Sequence, residues 1–158
     1  MVFDRNIGGM RVRLRIDGYL PPGAHEYGSV WCDCGFSFRF GEIIAYAQEH
    51  DELFMPEEVD ELAALLTDLL DGKIDGVREV PMMEPDFVFL LYPEKDHGAE
   101  PAYTYAAPGF GTRDVYAEWR VFLWDEGLTD NFLTITLKRA DVEALRDFLN
   151  GCRGQMNK

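Results

Sequence analysis

"FMPEEVDELAALLTDLLD", Phe54 to Asp71, is the stretch that organises the reading of this chain. Val59, Leu62, Leu65, Leu66, Leu69 and Leu70 recur at spacings of three and one, which lays a single apolar stripe along a helix. Pro56 suits a first helical position, where its missing N–H has no intrahelical role. Gly72 is the natural stop. The spacing therefore predicts an amphipathic helix over 56–71.

Outward from this helix the pattern changes period. Val12, Leu14 and Ile16 alternate with Arg11, Arg13 and Arg15, the mark of a half-buried strand over Met10 to Ile16. Strands are also expected from about Ser29 to Phe40, Ile43 to Gln48, Val77 to Met82, Asp86 to Tyr92, Tyr116 to Trp124 and Asn131 to Leu137. "PPGAHEYG", Pro21 to Gly28, reads as a loop. Pro93 to Asp114 reads as a long excursion with a short strand at Tyr103 to Ala106. A second helix over 139–150 turns Val142, Leu145, Phe148 and Leu149 inward and is expected to stop at Asn150-Gly151. Hairpin-length connections broken by single helices imply an α+β fold: a mostly antiparallel, curved sheet with two amphipathic helices. The 158 residues suit one domain, with a core over about 10–150, and no internal repeat is visible.

Charge is unevenly placed. The chain carries a formal −14, and from Gly41 to Asp71 there are ten acids with no Lys or Arg. Residues 1–40 carry five arginines against four acids. Such acidity makes nucleic acid and anionic membrane poor partners and a basic protein a natural one. No run is long and apolar enough for a transmembrane helix, and no signal peptide is visible. Three cysteines without framework spacing fit a reducing cytoplasm.

The acidic helix has two readings. Like charges at Glu57 and Glu61 cost about 0.2–0.5 kcal/mol, whereas each buried aliphatic side chain contributes roughly 1.5–3 kcal/mol, so the fold tolerates the charge without needing a use for it. A single-sign surface also steers an oppositely charged protein. On that reading Glu57, Glu58, Glu61 and Asp68, which lie off the stripe, are the partner-binding residues and should be exposed and replaceable.

Other constellations are weaker. Cys32 and Cys34 could supply half a zinc site, but they share a strand face with Phe36, Phe38 and Phe40 and read as core. His25, His50 and His97 lie outside any H-x-E or HExxH pattern. "GFGT" at 109–112 lacks the GK[ST] of a phosphate loop. Glu79, Glu84 and Asp86 could serve an acid–base hydrolase. Glu84 has a structural reading too: placed before Pro85, it is expected to accept backbone N–H bonds that the proline break leaves unpaired.

One resemblance gathers these features. The acidic leucine-rich helix, "EPDFVF" at Glu84 to Phe89, "AEWRVFLW" around Trp119, "NFLTITL", and a closing "DVEALRDFL" follow an order similar to that of the WapI-type immunity proteins of bacteria. The resemblance implies a non-enzymatic binding protein that neutralises a toxin domain, often a nuclease, without a cofactor. Two other functions stay open: a small-molecule or signal-sensing module with an aromatic pocket under the 93–114 loop, and the carboxylate hydrolase. The toxin and the oligomeric state are not legible in the chain.

Overall fold

Residues 1–19, 31–96 and 113–154 are described by a computed structural model. Four strands come first: β1 (Val2–Ile7), β2 (Met10–Asp17), β3 (Asp33–Phe40) and β4 (Ile44–Asp51). Helix α1 (Pro56–Leu70) follows, then β5 (Arg78–Pro81), β6 (Phe87–Asp96), β7 (Arg113–Trp124) and β8 (Leu128–Lys138), and α2 (Arg139–Gly154) closes the order. The α+β class holds, but the strands form two antiparallel sheets, β1-β2-β3-β4 and β5-β6-β7-β8. The element order is thus four strands and a helix, twice over, a regularity that no residue repeat announces.

Each sheet turns one face inward. Val12, Leu14, Ile16, Phe36 and Phe38 of the first are buried against Phe87, Phe89, Leu91, Trp119, Val121, Ile135 and Leu137 of the second. The Trp119 ring lies 5.1 Å from Phe36 and 5.3 Å from both Phe87 and Phe89, so aromatic contacts join the sheets at their centres. The strand over Phe87 to Asp96 sits between β5 and β7, and its Phe87, Phe89, Leu90 and Leu91 are all buried. The two helices pack on one another and close the core: α1 also meets β6, and α2 meets β1, β7 and β8.

The leucine helix behaves as its stripe predicts, with Val59, Leu62, Leu65, Leu66 and Leu69 buried together with Pro56 and Ala63. Its end is closed by Gly72 N–H on Leu69 C=O and Lys73 N–H on Asp68 C=O, the paired bonds of a Schellman motif.

Two elements depart from expectation. Strand β1 was not legible because Arg5 interrupts its inward alternation between Phe3 and Ile7; its guanidinium reaches Asp141 of α2 instead. The signal that was available is Gly8-Gly9, whose positive φ values of 58° and 87° make the tight turn of a hairpin. Helix α2 runs past Gly151 to Gly154 and buries Cys152. Gly151 is a close-approach residue, not a stop: a Cβ there would lie 2.5 Å from Met1 Cε. The Pro21–Gly28 loop, the short strand at 103–106, residues 109–112, and His25 and His97 fall outside the described residues, as does the His50 side chain.

Candidate functional site

The acidic run without a base in sequence acquires bases in space. Asp60 accepts from Tyr19 Oη at 2.7 Å and pairs with Arg153 of α2 at 2.8 Å. Glu61 lies 3.8 Å from Arg78 of β5. Lys73 bridges Asp68 at 3.3 Å and Asp71 at 2.8 Å, and its ammonium holds the Asp71 carboxyl below its usual range. Four of the six carboxylates over 56–71 therefore have a base nearby, three bases in all, at the modest worth of exposed pairs.

The four residues read as partner-binding separate accordingly. Glu57 is exposed and has no partner among the described residues; Glu61 is exposed beside Arg78; Asp68 is half-buried beside Lys73. Glu58 is not a replaceable surface charge. Its Oε2 accepts the Met55 N–H at 2.8 Å, and its Oε1 accepts the N–H of Met83. One carboxylate thus caps the first turn of α1 and ties that turn to the β5–β6 connection. Glu58→Ala should lower unfolding stability by about 0.5–2 kcal/mol, the usual cost of a lost helix cap; an unchanged denaturant midpoint would contradict this role.

The backbone-bonding role expected of Glu84 is thus filled by Glu58, which accepts the Met83 N–H. Glu84 is half-buried and makes no hydrogen bond among the described residues. Two positions on, Asp86 is only 4% exposed. Its Oδ1 accepts from Gln48 Nε2 at 3.0 Å and from the Trp124 indole N–H at 2.5 Å. Its backbone C=O accepts the Phe122 N–H at 2.9 Å. Asp86 therefore joins β4 of one sheet to β7 of the other.

Around Asp86 opens a cleft of about 360 Å³ lined by Gln48, Glu52, Leu53, Glu84, Asp86 and Trp124. Trp124 is 41% exposed, and a β-bulge between Phe122 and Trp124 shifts the pairing of β7 just before it. Glu52 and Glu84 have no partner among the described residues, and Gln48 Oε1 is a buried acceptor without a donor. The wall is rich in acceptors and offers an aromatic face, a surface suited to a donor-rich cation. Because Glu58 bonds Met83, the cleft and the first turn of α1 share one end of the molecule.

Of the three carboxylates read as a hydrolase set, Glu84 and Asp86 meet in this cleft. Glu79 does not: it is exposed on β5, paired with Leu90. Glu52 takes the third place. Nothing local signals this grouping, since Gln48 and Asp86 are 38 residues apart in sequence.

Cys32 and Cys34 are fully buried with Phe36 and Phe38, as their shared face requires, whereas Phe40 is 43% exposed. Burial pushes both thiols up to about 12, and Cys152 up to about 11. The folded state then keeps protons that the unfolded chain gives up from about pH 9. Stability should be level below that pH and fall as pH rises toward about 12. Denaturant midpoints taken across this range check the sign, and a Cys32→Ala/Cys34→Ala variant should flatten the decline. An equal decline in that variant would contradict the assignment to these thiols.

Among the described residues no three Cys, His, Asp or Glu side chains come together as metal ligands, and no helix is long and apolar enough to cross a membrane. Compared with known proteins, the chain matches no family model and no curated sequence.

Proposed function

We propose that this chain is a non-enzymatic, immunity-type protein of the bacterial cytoplasm that sequesters a basic toxin domain. The acid-lined end of α1 is its docking surface. The observation that carries the reading is the cleft in which Glu52, Glu84 and Asp86 stand around Trp124, with Glu57 close by on the first turn. An arginine side chain matches it: the guanidinium offers planar donors to carboxylates and stacks on an indole face. The sequence resemblance to WapI-type immunity proteins points to the same class of partner, since nuclease domains carry basic surfaces for their anionic substrates. Glu61, one turn on from Glu57, extends the acidic surface beside Arg78, whereas Asp68 lies in the last turn of α1 beside Lys73.

The test is to search the adjacent reading frames for a basic toxin domain and to measure its association with this chain. A complex whose on-rate falls steeply with added salt supports the proposal. A neighbouring frame whose product does not bind, or binds without salt dependence, overturns it.

A second reading rests on Glu84 and Asp86 meeting in one cleft, the arrangement an acid–base hydrolase needs. Against it, Asp86 Oδ1 is engaged by two fixed donors, which suits an anchor more than a proton shuttle. Hydrolysis of a substrate panel that disappears in Glu84→Gln, with folding intact, would favour the enzyme.

A further inference from the structure

The other end of the charge distribution lies on the outer face of the first sheet, beside an edge that no described strand pairs. Among the described residues strand β4 pairs only with β3, so half of its main-chain groups point away from the described sheet. The run Ile43 to Gln48 carries no charge and no proline, Ile43 is 85% exposed, Ile44 is 46% exposed, and Ala45 and Ala47 are exposed. The remaining edges are blunted. Strand β1 bears Asp4 and Arg5, β5 is four residues long and ends at Pro81, and β8, uncharged from Asn131 to Leu137, meets α2 and β1. An apolar stretch of edge such as 43–48 is the kind that soluble proteins cover or pair.

Alongside this edge runs a groove of about 490 Å³ in which Arg11, Arg13 and Arg39 stand around Ser37, Ala45 and Ala47. The register arranges these residues in rows across the sheet: Arg11, Arg39 and Ala45; Arg13, Ser37 and Ala47; Arg15, Gly35 and Glu49. Arg11 is held by Asp4, at 2.9 and 2.7 Å, and Arg15 by Asp17 and Asp33 at 2.6 and 3.1 Å, with Glu49 farther from it at 3.9 Å and 65% exposed. Arg13 has no counter-charge within bonding distance among the described residues, and Arg39 reaches Glu42 only at 4.0 Å. The edge is therefore basic beside Ala45 and Ala47 and acidic at Glu49.

That polarity is complementary to itself. We propose that β4 pairs antiparallel with β4 of a second copy, about a twofold axis perpendicular to the sheet at Ala47, making one eight-stranded sheet. The half turn sets Ala47 against its own image, where two small side chains permit close approach, and sets Glu49 of each copy opposite Ala45 of the other. Strands lie about 4.8 Å apart, so the Arg39 and partner Glu49 backbones come to roughly 10 Å across β4, within the combined reach of their side chains. Twofold symmetry makes the ion pair twice. A foreign strand would also satisfy the main chain, but the second copy brings a carboxylate to the level the register demands. This inference is independent of the acid-lined cleft.

The experiment is light scattering of the full chain over micromolar to millimolar concentration, where the expected mass is twice 18.1 kDa. Ala47→Lys places like charges face to face on the axis, without touching the core, and should return the mass to 18.1 kDa with an unchanged circular dichroism spectrum. Because that variant also alters the strand, Glu49→Arg and Arg39→Glu form the second arm. Each alone should weaken dimerisation by about tenfold or more, and the double exchange should restore it. A wild-type chain that stays monomeric throughout, leaving the edge to a different occupant, overturns the proposal. So does a dimer that survives both Ala47→Lys and the single charge changes.

Discussion

Asp86→Ala is expected to lower unfolding stability by about 2–4 kcal/mol, well beyond the effect of an ordinary surface change. The carboxylate is nearly fully buried, and a single oxygen accepts both the Gln48 amide and the Trp124 indole N–H. Removing it leaves two donors without an acceptor at the place where the sheets meet. Asp86→Asn keeps an oxygen in position and should recover part of the loss. Glu84→Ala supplies the contrast: with no hydrogen bond among the described residues, it should change stability by less than about 0.5 kcal/mol. Urea unfolding of the three variants checks the ranking. Equal midpoints for Asp86→Ala and Glu84→Ala would show that Asp86 does not join the sheets.

The second large effect concerns association. Reversing Glu52, Glu57 and Glu84 to lysine changes the local charge by six around the cleft while leaving the buried Asp86 in place. None of the three is committed to a bond among the described residues, so the fold should persist. Long-range attraction of a basic partner should then vanish, with the on-rate at low salt falling by about tenfold or more. At high salt the variant and the wild type should converge, because screening beyond about 8–10 Å removes the same attraction. Glu58 is kept out of this variant, since its loss would confuse an uncapped helix with a lost partner contact. On-rates that match the wild type at every salt concentration would reduce this end of the molecule to a solvated surface.

What was legible in the chain followed local periodicity. The stripe from Val59 to Leu69, the alternation of Val12, Leu14 and Ile16, and the shared face of Cys32, Cys34, Phe36 and Phe38 each record burial one residue at a time. Those signals produced the helices, most of the strands and the α+β class. They could not divide the strands between two sheets, because pairing partners are chosen by tertiary contacts such as Phe36 with Trp119. The candidate site was legible only in charge. Counting acids along 41–71 suggested an uncompensated helix, yet Lys73, Arg78 and Arg153 lie outside that window and fold back onto it. Glu52, Glu57 and Glu84, which have no partner among the described residues, come from two segments, 52–57 and 84. The Asp86 link between them depends on Gln48 and Trp124, each distant from it in sequence.

The central claim, that a basic domain docks at the acid-lined end of α1, is tested most directly by amide chemical-shift mapping. Isotope-labelled protein would be titrated with an arginine-rich peptide and with any basic domain encoded in an adjacent reading frame. The account predicts the largest perturbations at residues 52–58 and 83–86 and at the Trp124 indole N–H, with that indole signal lost in Trp124→Phe. Perturbations confined to the outer face of the first sheet, around Arg13, Ser37 and Arg39, with the Trp124 indole unmoved, would contradict it.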